Sequence, residues 1–228
     1  MRTGAFNVAR KAIIGSLFAC GLVAFASPGT AQPVDNPGAE AIVCLWEGLD
    51  DEARSSVRGS VRRYMDNDTS EIAPGVSVRL TGQSEILGAA LTPPLLAACG
   101  VPDDEAALVL AVTGVAMRAQ AEQARGQLAA LGGEPEAIEA AFNRMPGFRR
   151  EELAVWVWSL NRTEQSDQTI NGFWRAIERT RVNRTFQQQR HMAFGLIARL
   201  AEHRAATCLS QDQAGREACV EARLGTRE

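Results

Sequence analysis

Hydrophobic positions between residues 103 and 131 recur at spacings of three and four, and this is the strongest pattern in the chain. Such spacing aligns on one face of an α-helix, whereas a strand repeats every two residues. Acidic residues open the stretch and Gly132-Gly133 follows it, which suits the two ends of a helix. The pattern predicts one long central helix near residues 103–131 with these positions on its apolar face: Leu110, Gly114, Met117, Ala121, Ala124, Leu128 and Leu131.

The two halves of this predicted helix differ in polarity. Residues 106–117 contain Thr113 as their only polar side chain, which is typical of a helix surrounded by protein. This run is well short of the roughly 20 apolar residues that span a bilayer, so we expect a core helix. The second half carries charged and amide side chains and is expected to meet water on one side. Gly114, Ala121 and Ala124 are small enough to let a neighbouring helix approach closely.

The same spacing, together with caps and breakers, predicts shorter helices on both sides of the central one. Residues 151–160 could form a buried strand by composition, but their acidic start favours a helix. Trp156 and Trp158 would then point in nearly opposite directions. We expect both to be buried, and one exposed tryptophan lining a groove is the alternative. The expected helices are 37–48, one starting after Asp50 or Asp51, 83–91, a turn or two at 93–99, 135–145, 151–160, 163–209 as one helix or two, and 210–224.

The connections between these helices contain no specific binding motif. Residues 66–70 resemble the opening of a calcium-binding loop, but Glu71 stands where the loop needs glycine. Ser77 stands where the loop needs a bidentate glutamate. We therefore expect a polar loop there. Residues 72–80 are expected to form an irregular connection, since a single short strand without a partner is not stable.

The composition agrees with a helical fold. Aromatic residues make up only 6% of the chain and alanine is abundant, which favours helices over sheets. No internal repeat or low-complexity stretch divides the sequence. We therefore predict an all-α fold, in which a single disulfide-stapled bundle of about seven to nine helices surrounds the central helix near residues 103–131.

The first 31 residues have the layout of a secretory signal peptide, with a basic start, an apolar run at residues 12–26 and small residues beyond it. We expect cleavage after Ala31, which leaves residues 32–228 as a single helical domain. Such a chain would reside in the bacterial periplasm or be secreted. Lipidation at Cys20 is the alternative, and it is disfavoured because the apolar run continues past that residue.

Charge constrains the class of partner. Cleavage after Ala31 removes three of the 24 basic residues and none of the 27 acids, so the net charge changes from −3 to −6. A modest acidic excess gives no support to nucleic-acid binding. We therefore expect an unidentified protein or cell-envelope component as partner, no nucleic acid, and no membrane span after removal of the signal peptide.

Four cysteines remain after the predicted cleavage, and an even number in an exported chain indicates two disulfides. Their spacings do not fit CxxC redox or zinc-ribbon chemistry. Cys208 and Cys219 would lie on two antiparallel helices joined by a tight polar turn, close enough for a disulfide. We therefore expect Cys208–Cys219 and Cys44–Cys99, and pairing of Cys44 with either C-terminal cysteine is the alternative.

No familiar catalytic or nucleotide-binding motif is present. The chain has no G-x-S-x-G elbow, no H-E-x-x-H, no P-loop and no G-x-G-x-x-G. Its two histidines, His191 and His203, fall on one predicted helix, where twelve residues separate them by about 18 Å along the axis. They cannot share a metal ion in that arrangement. We therefore expect neither a metal site nor a cofactor.

The one polar cluster of interest is the run from Gln187 to His191, which interrupts an otherwise amphipathic segment. Arg190 and His191 are the candidate ligand-binding residues, because arginine forks bind carboxylates and phosphates. A solvated helix face is the simpler interpretation of the same run.

Two hypotheses for the function follow from the sequence. The favoured one is a non-catalytic binding or interaction domain in the bacterial periplasm. The other is an envelope-directed hydrolase or a small anionic-ligand-binding protein with its site near Arg190 and His191.

Overall fold

A computed structural model describes residues 36–67, 81–159 and 185–224 of the 228 residues. Within these ranges the chain forms nine helices and no strand, which confirms the all-α prediction. The helices are α1 (Pro37–Gly48), α2 (Asp51–Asn67), α3 (Thr81–Ala90), α4 (Pro93–Ala98), α5 (Glu105–Ala130), α6 (Ala137–Arg144), α7 (Gly147–Ser159), α8 (Phe186–Leu209) and α9 (Gln213–Leu224).

The predicted central helix is α5, and its ends are set by the expected local signals. Asp104 caps the first turn, where its side chain accepts a hydrogen bond of 2.8 Å from the backbone N–H of Ala107. Gly132 has a φ of 71°, the left-handed conformation that ends many helices. The apolar first half is buried at most positions. Leu108 departs from this expectation because the surrounding helices leave it 40% exposed.

α5 and α8 run antiparallel to each other through the centre of the fold. Gln188 at the start of α8 donates a hydrogen bond of 2.9 Å to the carbonyl of Leu131 just after α5. Near the other end of α8, Glu202 pairs with Arg118 in the middle of α5. A later residue of α8 thus contacts an earlier residue of α5, which is the arrangement of antiparallel helices. Small residues allow this close approach, as expected for the α5 face. A Cβ added at Gly195 of α8 would lie 3.2 Å from the Cβ of Ala124.

The remaining helices cover this pair. α1 buries Ile42, Leu45 and Trp46, as its spacing predicts. α6 likewise buries Ile138 and Phe142 against the same core. Every apolar face expected on these two helices therefore contributes to one shared hydrophobic core.

Three expectations need correction. The sequence predicts a break at Pro146-Gly147 and a new helix from residue 151, but α7 begins at Gly147. The Pro146 carbonyl accepts hydrogen bonds from the N–H groups that open the helix, so Pro146-Gly147 starts α7 as well as ending α6. Trp158 is buried, but Trp156 is only half-buried. The spacing of apolar residues predicts that Phe186 anchors its helix in the core, but Phe186 is 76% exposed, since it follows directly on the capping box of Thr185.

Some sequence predictions lie outside the described residues. These are the signal peptide, the connection at residues 68–80, and the part of the predicted 163–209 helix that precedes residue 185. No helix in the ranges given above is both long enough and apolar enough to cross a bilayer.

Two disulfides hold the bundle together. Cys44 on α1 bonds to Cys99, the residue that follows α4, with a Cα–Cα distance of 5.6 Å. Cys208 near the end of α8 bonds to Cys219 on α9, with a Cα–Cα distance of 6.1 Å. These are the pairings that the sequence favours. The first disulfide ties α1 to the end of α4, and the second ties α8 to α9.

Candidate functional site

A cavity of about 210 Å³ opens between α5, α6 and α8. Four of its lining residues come from α5 at positions three or four apart, which places them on one face of that helix. Apart from one alanine, the lining consists of charged side chains. The lining residues are Arg118, Ala121, Glu122, Arg125, Glu139, Arg199 and Glu202.

Glu202 of α8 is the most buried charge of the cavity, with 8% of its side chain exposed. Arg118 of α5 donates to its Oε1 atom at 3.2 Å, and Arg199 of the same helix binds its Oε2 atom. A buried carboxylate is tolerated only when such donors replace its water. The two arginines therefore hold Glu202 between the two central helices.

Arg199 links this carboxylate to α6. Its Nε atom lies 2.6 Å from Glu139 Oε1, and its guanidinium stacks on Phe142 at 5.0 Å from the ring centre. Burial lowers the pKa of Arg199, but the charges of Glu202 and Glu139 outweigh burial and leave this pKa raised above its ordinary value. The guanidinium is thus firmly charged, and it bridges two carboxylates from two helices.

Glu122 extends the same network toward α2. Its Oε2 atom accepts a hydrogen bond of 3.0 Å from Arg58, whose guanidinium also lies 5.3 Å from the Trp46 ring. Its Oε1 atom lies 3.9 Å from Arg118 Nε, which is a buried donor without a hydrogen-bond acceptor among the described atoms. We call these side chains the Arg–Glu cluster: Arg58, Arg118, Arg125, Arg199, Glu122, Glu139 and Glu202.

Arg125 differs from the other arginines of the Arg–Glu cluster. It lines the cavity and is half-buried, yet it forms no ion pair with any residue in the described ranges. The three glutamates of the cluster each have an arginine partner already. Four arginines face three glutamates in the cluster, so Arg125 is the cation left over.

Arg190 and His191, the residues singled out from the sequence, lie outside this cavity. They sit on α8 in the turns before Arg199, and the Arg190 guanidinium stacks on Phe194 of its own helix at 5.5 Å. His191 and His203 share α8 and remain about 18 Å apart along its axis. The described ranges contain no group of three His, Cys, Asp or Glu side chains placed to hold a metal ion.

Sequence reasoning missed the cavity because its residues come from three helices far apart in the chain. Arg118, Glu122 and Arg125 were assigned to the water-facing side of the central helix. Glu202 and Glu139 were not proposed as site residues, since no local pattern shows that they line a cavity. The usable signal was the spacing of the charges Arg118, Glu122 and Arg125, which repeats every three or four residues and so places them on one face of α5.

A second charged group lies between α7 and α8. Glu151 accepts from Arg204 at 2.6 Å through Oε1, and its Oε2 atom lies 3.3 Å from His203 Nε2. His203 also packs edge-on against Phe142, with ring centres 5.7 Å apart. The hydrogen bond from His203 lowers the pKa of Glu151 most, burial acts in the opposite direction, and the charge of Arg204 adds to the lowering.

Replacing Glu151 with glutamine should reduce the acid sensitivity of the protein. Because the folded-state pKa of Glu151 lies below its unfolded value, its stabilisation is present above the unfolded pKa and is lost as pH falls through the folded one. The carboxylate is 41% exposed, so we expect an effect of about 1 kcal/mol or less. Urea unfolding of both proteins between about pH 3 and 7 measures it. If the free energies of unfolding of the two proteins changed equally with pH over that interval, the predicted contribution of the Glu151 carboxylate would be wrong.

Comparison with known proteins adds no identification. No family model, curated protein or solved structure matches this chain.

Proposed function

We propose that this protein is an exported, disulfide-stabilised helical binding domain of the bacterial periplasm, without catalytic activity of its own. We further propose that the charged cavity between α5, α6 and α8 is its binding site. The observation that carries the proposal is a cavity lined almost entirely by arginine and glutamate, held open between three helices of a core that two disulfides staple.

The lining of the cavity favours binding over covalent catalysis. Its side chains are arginine, glutamate and one alanine, so it offers no hydroxyl, thiol or imidazole as a nucleophile. Its three carboxylates are engaged by arginines of the Arg–Glu cluster. Such groups serve to orient and hold a charged partner.

The cavity is also preorganised. Arg199 is fixed by two carboxylates and an aromatic ring, and Arg118 is fixed by Glu202. Side chains that are already ordered lose little entropy when a ligand arrives, which favours affinity. At about 30 Å³ per water molecule, the volume corresponds to about seven waters. That is room for a small molecule or for one side chain of a partner protein.

Export is supported by the N-terminal sequence and by the disulfides of the structure. The basic start, apolar run and small residues of the first 31 positions fit a signal peptide. The two disulfides are of the kind that persists in an oxidising compartment such as the periplasm. An envelope component or a periplasmic protein would then be the natural source of the ligand.

One recovery experiment tests this proposal. The full-length gene is expressed in a bacterium, and the protein is purified from the periplasmic fraction, sequenced from its N-terminus and weighed by native and denaturing mass spectrometry. We expect a chain that starts at Gln32. We also expect extra mass in the native spectrum, after exposure to periplasmic extract, that disappears on denaturation.

Each part of the proposal fails on a different result. An intact Met1 end, or a lipid on Cys20, would refute export with cleavage after Ala31. Turnover of an envelope substrate by the purified protein would refute the absence of catalysis. A native mass equal to the bare chain after incubation with extract would refute the binding site.

A further inference from the structure

The chemistry of the cavity identifies a class of ligand. Three arginines and three glutamates line the cavity, so its lining has no net charge, and Arg125 is the lining arginine without an ion pair in the described ranges. The whole chain, in contrast, carries a net charge of −3. An arginine that lines a cavity without an ion pair in the described ranges is a specific feature of this site.

We infer that the cavity binds a small oxyanion, a carboxylate or a phosphate, and that Arg125 is the residue that holds it. The inference rests on the proposed function and adds the ligand class to it. A guanidinium presents its N–H donors in a planar fork, which matches the oxygens of carboxylate and phosphate groups. No glutamate of the cluster forms an ion pair with Arg125 in the described ranges, so no carboxylate there occupies this fork.

The other walls of the cavity reinforce this choice. Arg118 and Arg199 point charged donors at the glutamates, so the paired carboxylates contribute little net negative charge to the interior. A cationic ligand would meet only carboxylates that arginines already engage. An anion can approach Arg125 without breaking any ion pair, since that guanidinium has none in the part of the chain that the structure describes.

Titration of the oxidised mature protein with defined probes tests the inference. The probes are inorganic phosphate, succinate, neutral succinamide and cationic putrescine, each followed by isothermal calorimetry at low ionic strength. We expect phosphate or succinate to bind and the two other probes not to bind. Succinate alone would identify a carboxylate ligand and phosphate alone a phosphate ligand. Added salt should weaken the binding, as for any charge-assisted contact that water can reach.

Three variants locate the site. Arg125→Gln should weaken anion binding at least tenfold, and Arg125→Lys should retain part of it, because lysine keeps the charge but loses the fork. Arg144→Gln is the matched control, since Arg144 is an exposed arginine at the end of α6 that does not line the cavity. It removes the same charge and should leave affinity within about twofold. Circular dichroism should show that Arg125→Gln folds normally, because no ion pair is lost.

The outcomes separate this inference from the proposed function. Equal anion affinity in Arg125→Gln and the parent protein would overturn the role of Arg125. Binding of succinamide or putrescine alone would overturn the anion class and leave a binding domain. Failure of all four probes, with a ligand still retained from periplasmic extract, would also overturn only the anion class. Failure of both experiments would overturn the proposed function as well.

Discussion

Removal of the Cys44–Cys99 disulfide is expected to lower the free energy of unfolding by about 4 kcal/mol, the largest loss among the changes considered for this protein. The bond closes a loop with a sequence separation of 55 residues. In the chain-entropy description, a longer loop restricts the unfolded chain more, so its release costs more stability. The bond also ties α1 to the residue that follows α4, which keeps the N-terminal helices on the core.

The Cys208–Cys219 disulfide is the matched comparison. Its sequence separation is only 11 residues, which gives an expected loss of about 3 kcal/mol. Both double replacements by alanine, Cys44→Ala with Cys99→Ala and Cys208→Ala with Cys219→Ala, are made and unfolded in urea. A greater loss for the C-terminal pair would show that packing around the buried Cys208 side chain outweighs loop closure. The entropic account would then be wrong for this protein.

Replacement of Gly38 by alanine is expected to cost about 2–3 kcal/mol, because the added methyl group overpacks a close helix contact. A Cβ at this position would overlap the backbone carbonyl oxygen of Ala206 on α8, and backbone cannot move aside as a side-chain end can. The Gly38 N–H also donates a hydrogen bond of 2.9 Å to Ser210 Oγ. α1 would have to withdraw from α8, which weakens both contacts.

Gly59 provides the control for this substitution. It lies inside α2, and a Cβ added there would meet no atom within 4 Å. Gly59→Ala should therefore stabilise the protein by about 0.5–1 kcal/mol, since alanine is the better helix former. In thermal or urea unfolding, Gly38→Ala should therefore be less stable than the parent protein and Gly59→Ala more stable. A neutral Gly38→Ala variant would show that α1 and α8 are less tightly packed than the structure has them.

Local signals in the sequence were sufficient for most of the fold. The ends of α5 follow from Asp104, which caps the first turn, and from Gly132, which adopts the left-handed conformation. The spacing of Ile42, Leu45 and Trp46 gave the buried face of α1 directly. These features depend on residues within one or two turns, so a pattern along the chain can reveal them.

The errors fall where neighbouring elements decide the result. Pro146-Gly147 reads as a helix breaker, yet Pro146 also supplies the carbonyl that starts α7. Phe186 has the spacing of a core residue, but its place in the first turn of α8 leaves it outside the core. Of the two tryptophans expected to be buried, Trp158 is buried and its indole N–H donates to the carbonyl of Cys219 on another helix, but Trp156 is only half-buried.

The candidate site was harder to foresee for the same reason. Arg118 and Glu202 pair across 84 residues of sequence, and Arg199 reaches Glu139 on a third helix. Periodicity shows which side of a helix is polar, but it cannot distinguish a polar side that meets water from one that lines a cavity. The sequence therefore directed attention to Arg190 and His191, which form a conspicuous run, instead of to dispersed charges.

The most direct test of a binding site between α5, α6 and α8 is a nuclear magnetic resonance titration of the mature protein with the anion that binds. Arginine side-chain Nε–Hε signals and backbone amides are followed as the anion is added. We predict that the shifts concentrate on Arg118, Arg125 and Arg199 and on the α5 and α8 turns that carry them. Shifts centred on Arg190 and His191 would place the site elsewhere, and an unchanged spectrum at saturating anion would contradict a binding cavity altogether.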